Sequence, residues 1–201
     1  LASTHQPDEV QFYILEFGTG ELMQFETLPH TGAVIRISEA ERVERLIKYF
    51  KKEIDTRTSL PEKQKQGLPE LFLVINNFAD FRSTYPEVAD EFGHFVRTGK
   101  GTGIHIIVAT NRGSELHRNI SSNIAQRLVL NMSSLDEYQE VLGVRPFTRS
   151  MNCIGRGYWQ EGKLAECQVT SYQYNSMPVS ASQYSWSGKA PQVIEMLFDT
   201  Y

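Results

Sequence analysis

Two stretches, Leu71 to Ile75 (LFLVI) and Ile104 to Thr110 (IHIIVAT), are apolar or β-branched at nearly every position. A strand with one wet face alternates. A strand that does not alternate is covered on both faces, and such strands belong to parallel sheets flanked by helices. Val10 to Phe17 (VQFYILEF) reads the same way and is closed by Gly18. Helical periods lie between these runs. Ala40, Val43, Leu46, Ile47, Phe50 and Ile54 recur at threes and fours. Pro86 suits the first turn of a second helix, with Val88, Phe92, Phe95 and Val96 as its apolar stripe. Strand, helix, strand, helix, strand in buried runs predicts an α/β fold: three layers around a mostly parallel sheet.

Shorter signals fill the rest. Leu22 to Phe25 is expected to form a short second strand and Ala33 to Ile37 a third. Ser38 and Glu41 have the spacing of a capping box for the helix that follows. Lys48, Lys51, Lys52, Glu53 and Arg57 fall mostly off its apolar face and read as a solvated surface. Residues 59–70, with two prolines and a glycine, read as a loop. Gly99, Gly101 and Gly103 break the chain before Ile104. Arg127 to Met132 is a further strand. Ser134 and Glu137 form a second capping box, ahead of Leu135, Tyr138, Val141 and Leu142 facing inward. Arg156 to Trp159 and Ala165 to Val169 are expected to pair as a hairpin across Glu161-Gly162-Lys163. Residues 172–201 have no clear period and read as a linker or strap, with a short helix expected over 192–197.

Composition narrows the function classes. The chain has 201 residues, 40% of them apolar, which suits one α/β core with some chain left over. A net charge of −4 and a pI near 5.8 argue against a nucleic-acid footprint, which needs a basic stripe. No run approaches the ~18 apolar residues of a membrane span, and no signal peptide is visible. Cys153 and Cys167 read as free thiols. His5, His30, His94, His105 and His117 lack metal-ligand spacing, and the serines lack a nucleophile-elbow motif. Phe78, Phe81 and Phe95 read as core. The opening Leu1 to His5 reads like the end of a helix, so the chain is expected to be a piece of a longer protein.

Sheets of this kind bind ligands at the carboxyl ends of their strands. Those ends carry Glu16, Asn76, Asn77, Thr110, Asn111 and Arg112. Asn76 and Asn77 also suit a strand-end turn. Arg112 and Arg127 could reach a neighbouring subunit's phosphate or hold an internal carboxylate.

The segment Gly103 to Arg112 (GIHIIVATNR) resembles a strand of FtsK/SpoIIIE-type ATPases, and Asn123 to Leu130 (NIAQRLVL) is similar to their next strand. Leu142-Gly143, followed by Gly155-Arg156-Gly157-Tyr158, looks like their ending. Pro7 to Gly18 and Leu28-Pro29-His30 narrow the resemblance to the tandem ATPase domains of the type VII secretion motor, the EssC/EccC family. It covers roughly residues 1–170, leaving 171–201 as the strap. It implies a RecA-like, P-loop NTPase-like fold binding ATP and magnesium. Three departures bear on that. No G-x-x-x-x-G-K-[ST] cradle occurs in the chain. Asn76 and Asn77 stand where the family carries its Walker B acids, of which one holds magnesium and the next orients water. Glu16 stands where Asp is usual. The resemblance places Asn111 at the sensor amide, and leaves Glu16, Asn76, Asn77, Thr110, Asn111, Arg112 and Arg127 as nucleotide-site candidates with no catalytic residue.

On this basis the chain is expected to be a later, catalytically impaired module of the tandem array. Its partners would be the neighbouring ATPase domains of the same polypeptide, exported proteins, and further copies in a hexamer-like ring. Its place would be the cytoplasmic part of a membrane-anchored bacterial protein. The rivals are an active DNA-translocating motor and a substrate-recognition module that binds no nucleotide. Tyr172, Tyr174, Tyr184 and Trp186 in the strap fit a docked, aromatic-rich segment. Ending the chain at Val169 should therefore expose apolar surface and lower solubility; an equally soluble and stable fragment would contradict this.

Overall fold

The structure, a computed structural model, describes residues 1–99, 101–116, 118–146, 154–169 and 193–196. The elements, in chain order, begin with β1 (Val10–Glu16), β2 (Thr31–Arg36), α1 (Ala40–Ser59), α2 (Glu62–Lys65) and β3 (Glu70–Asn76). Then come α3 (Phe78–Thr84), α4 (Pro86–Thr98), β4 (Ile104–Thr110), α5 (Arg118–Ser121) and β5 (Gln126–Val129). The chain continues through α6 (Leu135–Leu142), β6 (Arg156–Glu161), β7 (Lys163–Gln168) and β8 (Val193–Met196).

The eight strands of the described residues form one sheet in the order β2-β1-β3-β4-β8-β5-β6-β7. The first four are parallel. Strand β8 runs against both β4 and β5, so β5 points the same way as β4. Strands β5, β6 and β7 form an antiparallel ladder. The apolar runs explain the centre. Leu71, Leu73 and Ile75 are fully buried on one face of β3, with Leu15 beside them on β1. Helix α1 packs Val43, Leu46, Ile47, Phe50 and Ile54 onto that face, and α3 and α4 add Phe78, Phe81, Phe92 and Phe95. Each such side chain stabilises the fold by about 1.5–3 kcal/mol. A second, smaller core gathers Val129, Met132, Tyr138, Val141, Leu142 and Tyr158 under α6.

Several sequence expectations change here. The strand expected over Leu22 to Phe25 is a 3-10 helix, Glu21–Thr27. Gly20, with φ 91°, turns the chain, and the Leu22 N–H is drawn to the Glu16 carboxylate instead of a ladder partner. The N-cap position of α1 is Glu39, whose side chain makes no capping bond to the helix, and the box expected of Ser38 with Glu41 does not form. The Glu39 carboxylate accepts the Arg36 N–H at 2.8 Å and meets Arg42 at 2.5 Å. Those contacts hold its carboxyl below the usual range, the backbone bond most.

Arg57, expected at the surface, is 2% exposed. Its guanidinium donates to the carbonyls of Pro69, Thr102 and Gly103 and to the Glu53 carboxylate, pinning the end of α1 to the start of β4. Residues 193–196 are a strand, not part of a helix, because the sheet offers them a ladder on each side. The expected cap of α6 forms: Ser134 Oγ accepts the Glu137 N–H, although the Glu137 carboxylate reaches Ser133. Cys167 is a free thiol; Cys153, His117 and the strap aromatics lie outside the described residues.

The hairpin of β6 and β7 forms as expected around Gly162. At Gly157 a Cβ would stand 2.2 Å from the Val129 carbonyl oxygen and 2.9 Å from the Leu130 Cα, both backbone atoms that cannot swing aside. Gly157→Ala should therefore cost about 1–3 kcal/mol through overpacking. A urea midpoint unchanged from the parent would mean that β5 and β6 lie farther apart than in this structure.

Candidate functional site

The register brings Glu16, Asn76 and Ala109 into one row at the carboxyl edge of the parallel strands, with Thr110 one residue beyond. Glu16 is 3% exposed. Its Oε1 accepts the Gly18 N–H at 2.7 Å and the Asn76 Nδ2 at 2.9 Å; its Oε2 accepts the Leu22 N–H at 3.0 Å. A buried carboxylate is tolerated only when donors replace water, and here three do. Gly18 is part of the device. A Cβ there would stand 2.6 Å from Asn76 Nδ2 and 2.9 Å from Glu16 Oε1.

Asn77 is the N-cap of α3 and sits in the left-handed region, with φ 62°. Its Oδ1 accepts the Asp80 N–H at 3.5 Å, while Nδ2 reaches Asp80 Oδ2 at 2.6 Å and the Phe17 carbonyl at 3.3 Å. These bonds are those of a residue that turns the chain at the strand end and caps the helix after it. Thr110, 1% exposed, donates to the Glu115 carboxylate, which also accepts the Arg112 N–H at 3.2 Å. Asn111 and Arg112 are exposed at the same edge.

Arg127 is not in this group. Through β8 it stands level with Val108, whereas Val129 is level with Thr110. Its guanidinium donates to Gln160 Oε1 and the Ser121 carbonyl. The edge thus gathers six of the seven candidates and leaves Arg127 further back in the sheet.

Magnesium does not fit the residues present. Glu16, the one buried carboxylate among the described residues, has both oxygens occupied by N–H donors, and Asn76 and Asn77 carry no charge. Among the described residues no cluster of three or more His, Cys, Asp or Glu is placed to hold a metal ion. An open groove of about 410 Å³ lies elsewhere, between β1, β2 and α1, lined by Tyr13, Ile35, Arg42, Arg45, Leu46 and Tyr49. Burial, and then the bond to Tyr13, push the Tyr49 hydroxyl above its ordinary range, so it stays protonated. Sequence reasoning missed this groove, and also Asp80 and Glu115. Asp80 was visible as the third residue after Asn77, a spacing that suits an N-cap.

Comparison with known proteins fits the same frame. Residues 1–162 match the FtsK/SpoIIIE family. The chain belongs to that family. It is 30% identical over 128 residues to the ESX secretion system protein EccC of Thermomonospora curvata, covering 55% of this chain and 10% of that one. The chain therefore spans about a tenth of that relative's length. Its fold superposes on EssC (ATPases 2 and 3) from Geobacillus thermodenitrificans with a TM-score of 0.74 at 22% identity, covering 83% of this chain and 34% of the other. It also superposes on Thermomonospora curvata EccC (ATPases 2 and 3), solved in complex with a signal sequence peptide. There the TM-score is 0.63 at 24% identity, covering 93% and 35% of the two chains. The α/β, P-loop ATPase-like fold expected from the sequence is the fold observed.

Asn76→Asp would set a second carboxylate against Glu16 at the 2.9 Å contact. Two such groups cannot both ionise without cost. The variant should lose about 2–4 kcal/mol at pH 7, with the deficit narrowing as pH falls and one carboxyl takes a proton. Urea unfolding of parent and variant at pH 7 and pH 4.5 measures this; a deficit that does not change with pH would contradict it.

Proposed function

We propose that this chain is an ATPase-like module of a type VII secretion motor, catalytically impaired, with a structural or regulatory role beside a hydrolytic domain of the same polypeptide. One observation carries the reading: the edge where such enzymes hold magnesium and activate water is filled by Glu16 bonded to Asn76 and to the Gly18 and Leu22 N–H groups, and by Asn77 bonded to Asp80 and the Phe17 carbonyl. Of these three only Glu16 is a carboxylate, and both its oxygens already accept N–H donors, which leaves it ill-suited to take a proton from water. Within this reading residues 1–170 make up the module, and 171–201 form a strap that contributes β8. The module belongs to the cytoplasmic part of a membrane-anchored protein and works among further copies in a ring. Among the described residues no helix is long and apolar enough to cross a membrane. The acidic balance favours this over a DNA-translocating motor.

A second role is favoured by the groove beside β2. One relative was solved in complex with a signal sequence peptide. Here Tyr13, Tyr49, Ile35 and Leu46 offer apolar area, and Arg42 and Arg45 stand at the same groove. That lining suits an aromatic or aliphatic anchor next to an acidic residue. On this reading the module holds a segment of an exported protein while a neighbouring domain supplies the hydrolysis.

The test is ATP turnover by the purified chain with magnesium. Phosphate release should not exceed background, and adding the upstream segment of the parent protein should restore at most binding. Turnover that is clear and abolished by Asn77→Ala would overturn the reading.

A further inference from the structure

Among the described residues the sheet has two outer edges, β2 and β7, and they are built differently. The β2 edge is irregular. Its register against β1 shifts between Phe12, level with Thr31, and Tyr13, level with Ala33, which leaves Gly32 as a bulge. A bulge twists an edge and blunts it against further pairing. Strand β7 lacks that guard. Its six residues, Lys163 to Gln168, pair with β6 without a shift and include no proline.

The outer side of β7 can be read residue by residue. The Val169 N–H donates inward to the Gly155 carbonyl at 2.8 Å. Direction alternates along an antiparallel strand, so Leu164, Glu166 and Gln168 turn both N–H and C=O outward. Ala165, Glu166 and Gln168 are exposed. Apolar side chains stand in water at the same end: Val169 is 43% exposed, and Ile154, whose carbonyl accepts from Gln168 Nε2, is 98% exposed. A regular row of outward groups beside exposed apolar side chains is a template for a further strand.

The side chains select which strand fits. Two copies of β7 can meet antiparallel about a twofold axis in only a few registers that set outward groups against each other. With the axis at Glu166, two carboxylates stand opposite one another and repel. With the axis at Ala165, Glu166 faces Leu164. With the axis at Cys167, Glu166 faces Gln168, Ala165 faces Val169, and Cys167 faces its own copy. Only this last register matches a carboxylate with an amide and small apolar side chains with each other.

We propose that β7 is a self-association edge: two copies of this chain pair antiparallel through β7 with the twofold axis at Cys167, so that the sheet runs from one molecule into the next. Glu166 and Gln168 exchange backbone bonds on both sides of the axis, about four in all. The two Cys167 residues form a non-hydrogen-bonded pair, with Cα atoms about 4.5 Å apart, inside the span of a disulfide. So small an interface is weak, with a Kd on the order of 0.1–1 mM. The proposal does not rest on the motor reading, and ATP turnover enters none of its tests.

The whole chain carrying Cys153→Ser keeps one thiol, Cys167. Sedimentation equilibrium of the reduced protein should show a monomer–dimer equilibrium in that concentration range; a chain that is all monomer at about 1 mM overturns the proposal. Diamide, which takes up the two thiol hydrogens, should then link the dimer through Cys167. Gln168→Glu sets like charges opposite each other at two symmetric places and should slow linkage about three- to tenfold. Glu166→Pro removes an outward N–H without touching the β6 ladder and should abolish the dimer. Moving the thiol with Cys167→Ser and Ala165→Cys should give little linkage, each rate being scaled to that thiol's reaction with iodoacetamide. A dimer that survives Glu166→Pro, or linkage that is faster at position 165, overturns the register and the proposal with it. Should Glu166→Pro fail to fold, Gln168→Glu decides, and linkage at the parent's rate overturns the proposal.

Discussion

A carboxylate with almost no exposure must have its water replaced in full, and Glu16 makes that demand at the carboxyl edge of the sheet. Its neighbours follow from it. Gly18 has no side chain because one would strike the Glu16–Asn76 pair, and Gly20 turns the chain so that the Leu22 N–H arrives at Oε2. Asn76 donates where an acid would repel. The same cluster ties the end of β1 to the end of β3. What looks in the sequence like a catalytic pair with its charges lost is, in the fold, a closed hydrogen-bond unit with its own stability.

The opposite end of the sheet is held by charge as well. Arg57 spreads one guanidinium over three carbonyls and Glu53, and Glu70 bonds His105 across β3 and β4 at 2.7 Å. That hydrogen bond, more than any other cause, holds the Glu70 carboxyl below its ordinary range. Its stabilising contribution is therefore present above about pH 4.5 and is lost as pH falls through the lowered value. The parallel strands are thus fastened at both edges, with the apolar core between.

Much of this was legible in the residues. The runs around Leu15, Leu73 and Ile106 announce buried strands because continuous apolar character has few other uses. The stripes of α1 and α4 and the Ser134 cap are local signals, and they formed. The failures share a cause. Leu22 to Phe25 has strand-like residues, but the Glu16 carboxylate, six residues back, takes its first N–H. Arg57 looks like surface because its partners are carbonyls more than ten residues away. Strand β8 is set by vacant ladders on β4 and β5, which no pattern within residues 193–196 encodes. For the site, the residue types pointed to one edge of the sheet, where six of the seven candidates do lie together. Only coordinates could separate Arg127 from it and show Asn77 acting as a helix cap.

The left-handed backbone at Asn77 also bears on how such a module could change over time. Asn and Gly enter that region readily, while most other residues pay roughly 1–2 kcal/mol to do so. A glutamate at position 77 would meet that strain, whereas aspartate, like Asn, tolerates the region; either acid would forfeit the amide's bond to the Phe17 carbonyl. An acid returned to position 76 would first confront Glu16. Acids at these two positions would be reached through variants that fold less well than their parent, so the amide pair, once in place, works as a ratchet: simple to enter, and reversed only by several concerted changes.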